Sequence, residues 1–180
     1  MATFKQIGKF DFNKHLKNYQ VFVRNIPILI ANETENHFKR GFVQGGGQTN
    51  ASKTGWKDRQ FTKGRGKRNI LIGRGILQRD VMKRRIYFRR IVVGTSSLTN
   101  KYANIHNEGG KIRITPRMRK FFWAKYNNAD SKSEKEYWKN LALHKGSFIT
   151  IPKREFIGDS MELEVKNEKI IDKELAKVFV

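Results

Sequence analysis

YANIHNEGG (residues 102–110) and ITIPKREFIGDS (residues 149–160) bracket the part of the chain whose reading decides the fold. Gly109 and Gly110 stand between a β-rich run, IVVG at 91–94, and an alternating run, KIRIT at 111–115. Glycine accepts the positive φ of a tight turn, so this pattern predicts a hairpin in which the two runs pair. Side chains alternate across a strand, which sets Ile112 and Ile114 on one face and Lys111 and Arg113 on the other. In the second stretch Phe148, Ile149 and Ile151 read as a strand that Pro152 ends, because proline donates nothing to a ladder. Phe156 and Ile157 are then expected to dock on the core, and Gly158 to allow a tight turn toward the C-terminal segment. Both stretches read as architecture.

In this order, the two blocks resemble the phage virion morphogenesis family (tail completion, Mu-like). Its members carry Tyr-Ala-x-Ile-His-x-x-Gly followed by Ile-Pro-x-Arg-x-Phe-Leu-Gly. The residues that carry the resemblance are Tyr102, His106, Gly109, Gly110, Pro152, Arg154, Phe156 and Gly158. A weaker similarity lies in LIGRGIL at 71–77, where Arg74 stands in place of a threonine common in the family. The resemblance spans roughly residues 56–160. It implies an α+β fold, an antiparallel sheet flanked by an N-terminal and a C-terminal helix, with a helical insertion between strands. It also implies a structural virion protein, not an enzyme, that completes the tail at the neck of a tailed phage and is assembled in the bacterial host cytoplasm. The partners it implies are copies of itself in a ring of six-fold or twelve-fold symmetry, head-side connector or portal-associated proteins, and tail terminator or tail-tube proteins. Packaged DNA, held non-specifically, is a further one. A ring needs heterologous contacts, one patch meeting a different one.

The charge balance fits that need for unlike patches. The 180 residues hold 38 Lys plus Arg against 16 Asp plus Glu, a net +22. Residues 155–180 hold 7 acidic and 4 basic side chains, net −3, which leaves +25 on residues 1–154. So basic a body is drawn to polyanions by counterion release. The competing class is therefore a stand-alone, sequence-independent nucleic-acid-binding protein, which would leave the two blocks unexplained. Without cysteine there is no disulfide framework and no thiolate zinc site. The first residues lack the apolar run of a signal peptide, and the early run at 26–31 is too short to span a bilayer, so a soluble single domain over 1–180 is expected.

Along the chain, residues 1–20 read as an arm that alternates aromatics with lysines. A helix is expected from Asn25, with Pro27 in its first turn and Ile26, Ile30, Thr34, Phe38 and Phe42 on one face, ending at Gly45 to Gly47. Residues 44–69 read as a long basic loop anchored by Trp56, and its glycines lack the Gly-Lys-Ser/Thr of a phosphate-binding loop. Lys63, Arg65, Lys67 and Arg68 in that loop, with Lys83, Arg84 and Arg85 in the next β-rich run, are the candidate DNA-backbone contacts. That run is expected to form a long strand pairing with the one after Gly110, with a bulge at Arg89 and Arg90. In the insertion at 117–146, Met118, Phe121, Phe122 and Tyr126 mark one helix. Tyr137, Trp138, Leu141 and Ala142 mark a second beyond a polar linker at 127–136, with the aromatics read as core. Residues 161–166 alternate as if extended, and a terminal helix capped by Asn167 is expected to close over the sheet.

Of the constellations tested for chemistry, His106 and Glu108 are two residues apart, but no nucleophile or third ligand is spaced near them. The resemblance makes His106 a packing or hydrogen-bonding residue. The histidines at 15, 37, 106 and 144 show no metal-binding spacing. Neither a cofactor nor a catalytic set is expected. Arg154 reads as a structural lock, a fixed guanidinium able to bond bidentately to a carboxylate or to backbone carbonyls.

Overall fold

The computed structural model describes residues 11–58 and 69–180, with Asn100 and Lys101 described by their backbone alone. Residues 1–10 of the expected arm and residues 59–68 of the expected loop lie outside the described residues, and with them Lys63, Arg65, Lys67 and Arg68. The fold is α+β: helices α1 (Phe12–Gln44), α2 (Ile76–Asp80), α3 (Ser97–Asn107), α4 (Pro116–Asn127), α5 (Lys132–Ala142) and α6 (Met161–Ala176), and strands β1 (Met82–Tyr87), β2 (Arg90–Gly94), β3 (Gly110–Arg113) and β4 (Phe148–Ile151). The strands form two antiparallel pairs, β1 with β2 and β3 with β4, in place of one larger sheet. Helices α4 and α5 are the insertion between β3 and β4, as expected.

Helix α1 starts thirteen residues earlier than the expected Asn25. The Asp11 carboxylate caps it by accepting from the Lys14 amide at 3.0 Å, and the helix continues through the buried Pro27. An interior proline costs a helix a hydrogen bond, so tertiary contacts must hold the early turns. The C-terminus supplies them: His15 Nδ1 lies 2.8 Å from the Val178 carbonyl, and Lys14 Nζ donates to the Val180 carbonyl at 2.6 Å. Residues 12–20 are thus helix and not arm. The expected face from Ile26 to Phe42 is the buried one, and the stop comes at Gly45 in the left-handed region.

Around α1 the main core gathers Phe38, Phe42, Trp56, Leu71, Leu77, Val81, Ala103, Phe156 and Leu163. Trp56 anchors its loop as expected, its ring set edge-on against Phe42 and its indole N–H donating to the Glu155 carbonyl at 3.0 Å. Helix α6 begins at Met161, because Ser160 caps it, accepting the Leu163 amide at 3.3 Å. The alternation at 161–166 was therefore one side of a helix. Asn167 is no cap, and α6 packs along α1, not over a sheet.

The expected pairing of the 91–94 run with the strand after Gly110 does not occur. Residues 90–94 pair with 82–87 across a turn at Phe88 and Arg89, and α3 separates them from β3. A capping centre at Asp80 explains the break. Its carboxylate accepts the Ser96 amide at 2.7 Å and the hydroxyls of Ser96 and Thr99, which starts α3 directly after β2. Arg84 donates to the same carboxylate at 2.8 Å. Burial raises the Asp80 pKa, but those donors outweigh it and hold it at about 2. The bulge lies between Lys83 and Arg85, and Arg89 is a turn residue.

Strand β3 pairs with β4, placing Ile112 opposite Ile149, with Ile112 and Ile114 inward and Lys111 and Arg113 outward as the alternation predicts. Helix α5 starts at Lys132, capped by Ser131, so the linker is shorter than expected. A second core of Phe122, Leu141 and Ala142 with Met118, Tyr137, Trp138 and Ile149 joins α4 and α5 to the β3–β4 pair. Phe121 and Trp123 are exposed, so the aromatics of this hairpin divide between core and surface.

Candidate functional site

The two blocks meet. Block 102–110 ends α3 and turns into β3; block 149–160 leaves β4 and leads to α6. The Arg154 amide donates to the His106 carbonyl at 2.8 Å, and the Asn107 side-chain oxygen accepts the amides of Phe156 and Ile157 at 3.0 and 3.1 Å. A helix C-terminus leaves carbonyls without intrahelical partners, and here the second block satisfies one of them while Asn107 caps the block in return. Gly109 has φ 76°, and a Cβ there would lie 2.8 Å from the Lys153 amide nitrogen, so the position demands glycine by conformation and by space. Gly110 opens β3 without a positive φ.

Arg154 is buried and acts as the expected lock, onto backbone carbonyls. Its Nε donates to Lys57 O at 3.0 Å and Nη2 to Asp58 O at 3.1 Å. A third part of the chain is thereby tied to the same junction. Phe156 enters the core beside Phe42, ring centroids 5.3 Å apart. Pro152 follows β4 and ends it, and the chain bends at Gly158.

His106 lies in the last turn of α3, one helical turn from Tyr102, whose half-exposed ring meets it edge-on at 4.6 Å. Its Nδ1 is buried with no hydrogen-bond partner among the described residues. Burial lowers its pKa below the ordinary histidine value, and the Arg154 charge adds in the same direction. A neutral ring packed on Tyr102 follows. Glu108, 66% exposed at its side chain, faces Lys153 at 3.7 Å. Neither residue lines the hollow of about 240 Å³ beside the junction, whose walls are Gly94, Thr95, Ala103, Asn104, Asn107, Phe156 and Ile157. Those walls carry no titratable group. Among the described residues no His, Asp or Glu cluster fits a metal ion, and no helix is long and apolar enough to cross a membrane.

The predicted DNA contacts on β1 are not equivalent. Lys83 Nζ donates to Asn32 Oδ1 at 2.6 Å while its amide donates to Glu35, and Arg84 bonds to Asp80 and to the Gly94 carbonyl, so both fasten the hairpin to the body. Arg85 makes no ion pair among the described residues and is exposed. On α6 a second surface appears: Glu164, Glu168 and Asp172 recur every four residues, all exposed and without an ion pair among the described residues. The neighbouring Glu162 and Glu174 are paired with Lys166 and Lys177.

Sequence reasoning passed over Asn107 and Asp80. Asn107 sits inside the quoted block, and an amide side chain two residues before a glycine at a helix end is a capping signal that was there to read. Asp80 works across 16 to 19 residues, for which the sequence carries no local sign. Comparison of the chain with protein-family models, curated proteins and solved structures finds no match.

Proposed function

We propose that the chain is a structural virion protein of a tailed phage, a tail completion or neck component that joins head connector to tail through ring-forming contacts between copies. The observation that carries this reading is the junction itself. The residues of the two family-like blocks are spent on holding backbone to backbone: His106 O to Arg154 N, Asn107 to 156 and 157, Arg154 to 57 and 58. Their use is that of a scaffold. None of them converges on a pocket with a nucleophile or a base.

The means of joining is a pair of unlike surfaces, the exposed acidic stripe of α6 and the basic body, which suits a heterologous contact that closes into a ring. Such contacts between exposed charges steer encounter and weaken with salt. Sizing the purified chain across a concentration series, then imaging the heavy fraction by negative stain, tests the reading. Closed rings of uniform diameter are the expected result. A monomer that saturates DNA without assembling would favour a stand-alone nucleic-acid-binding protein.

A further inference from the structure

The β1–β2 hairpin carries five basic residues and no acidic one across 82–94. Its two faces differ in kind. The register pairs Ile86 with Ile91 and Lys83 with Val93, and Val93 packs against the main core, so this face lies on the body. The opposite face pairs Tyr87 with Arg90 and Arg85 with Val92. At the turn stand Phe88 and Arg89. Tyr87 is 64% and Phe88 53% exposed, and Arg85, Arg89 and Arg90 are exposed without an ion pair among the described residues.

From this placement we infer that the outer face and tip of the hairpin form a sequence-independent nucleic-acid contact, in which Arg85, Arg89 and Arg90 hold phosphates and Tyr87 and Phe88 lie against bases. A two-stranded ribbon, its strands roughly 4.8 Å apart, is narrow enough for a DNA groove. Exposed guanidinium groups are available to phosphate oxygens, while an aromatic beside them offers a stacking surface to any base. Lys83 and Arg84 are set aside from the contact, because Lys83 Nζ is held by Asn32 with the Glu35 carboxylate 4.0 Å away and Arg84 is ion-paired with Asp80, so their charges are already partly balanced. An acidic protein surface would also attract the arginines, but it gives two large exposed rings no flat partner. The inference holds whether or not copies of the chain form rings.

The test is fluorescence anisotropy of a labelled random-sequence duplex and of oligo(dT), each titrated with the full chain over a series of salt concentrations. Each phosphate contact adds about 0.9 to the slope of log K against log salt, so Arg85→Ala, Arg89→Ala and Arg90→Ala together should flatten the duplex slope by roughly 2.7. A control that removes the same three charges from α4 and α5, Arg117→Ala, Lys120→Ala and Lys132→Ala, should change it by less than a third of that. Tyr87→Ala with Phe88→Ala should weaken oligo(dT) binding by about fivefold or more at constant salt slope. Thermal melting should be unchanged in all three variants, since the altered side chains are exposed. Equal loss of slope in the arginine variant and the control would overturn the inference, leaving only diffuse attraction to a basic body. So would undiminished DNA binding in an arginine variant that has lost self-association, which would make the tip a protein contact, and so would selectivity for one duplex sequence over another.

Discussion

Replacing Asn107 tests the junction at its narrowest point. Its Oδ1 accepts two backbone amides, from Phe156 at 3.0 Å and Ile157 at 3.1 Å, immediately where the chain enters the main core. Asn107→Leu keeps the approximate volume and removes the acceptor, so two partly buried N–H groups lose their partner. An unmatched donor of this kind costs about 1–1.5 kcal/mol, giving about 2–3 kcal/mol in all. Asn107→Asp keeps the acceptor oxygen. It loses the amide bond to Glu108 at 2.9 Å and gains repulsion from that exposed carboxylate, a cost of under about 1 kcal/mol at neutral pH. Urea unfolding followed by tryptophan fluorescence reads the difference. With a urea dependence of roughly 2 kcal/mol per M, the leucine variant should unfold about 1–1.5 M earlier than the parent and the aspartate variant within about 0.5 M of it. Equal midpoints for the leucine variant and the parent, or equal loss in both variants, would refute the capping role of Asn107.

Arg154→Lys should destabilise by about 2 kcal/mol in the same assay, because one ammonium cannot reproduce the fork that holds Lys57 O and Asp58 O. Gly109→Ala should cost about 1–3 kcal/mol through its positive φ and the approach to Lys153, while Gly94→Ala, with open space around it, stays within about 1 kcal/mol of the parent. Stability should also fall with pH in the mildly acid range. Burial lowers the pKa of His37, outweighing its bond to the Gln48 carbonyl, and burial with Arg154 lowers that of His106. The unfolded chain therefore binds protons that the folded chain refuses. The contribution is complete above about pH 6.5 and is lost progressively as pH falls from there toward the folded-state values. Unfolding free energies measured from pH 8 to 5 should show that slope, and it should flatten in His37→Gln.

Where local chemistry was self-sufficient, the fold was legible from the residues. The apolar spacing from Ile26 to Phe42, the glycine stop at Gly45, the Pro152 strand end and the two helices of the insertion are written in short stretches of residues, and the core position of Phe156 shows in its apolar side chain although its partner, Phe42, is distant in sequence. The strand partners were not legible. Pairing 91–94 with 111–115 looked natural because Gly109 and Gly110 lie between them, yet the turn-forming residues proved to be Phe88 and Arg89, neither at positive φ. What decides is Asp80, which starts α3 and removes residues 97–107 from any hairpin. The early turns of α1 were missed for the same kind of reason, since the contacts that support them come from residues 177–180, at the far end of the sequence. Of the candidate site, Arg154 was read correctly as a lock. On β1 the sequence could not tell Lys83 and Arg84, which fasten the hairpin, from Arg85, which is exposed and makes no ion pair among the described residues.

A mixing experiment tests the central claim of assembly through two unlike patches most directly. Glu164→Lys, Glu168→Lys and Asp172→Lys together reverse the stripe on α6 and leave the basic body intact. Mass photometry of the wild-type chain should show discrete ring masses and the variant alone should remain monomeric. Because a heterologous contact leaves the variant one working patch, a small fraction mixed into wild type should cap growing assemblies and remove rings out of proportion to its amount. Rings from the variant alone, or a wild-type chain that stays monomeric at every concentration, would contradict the account.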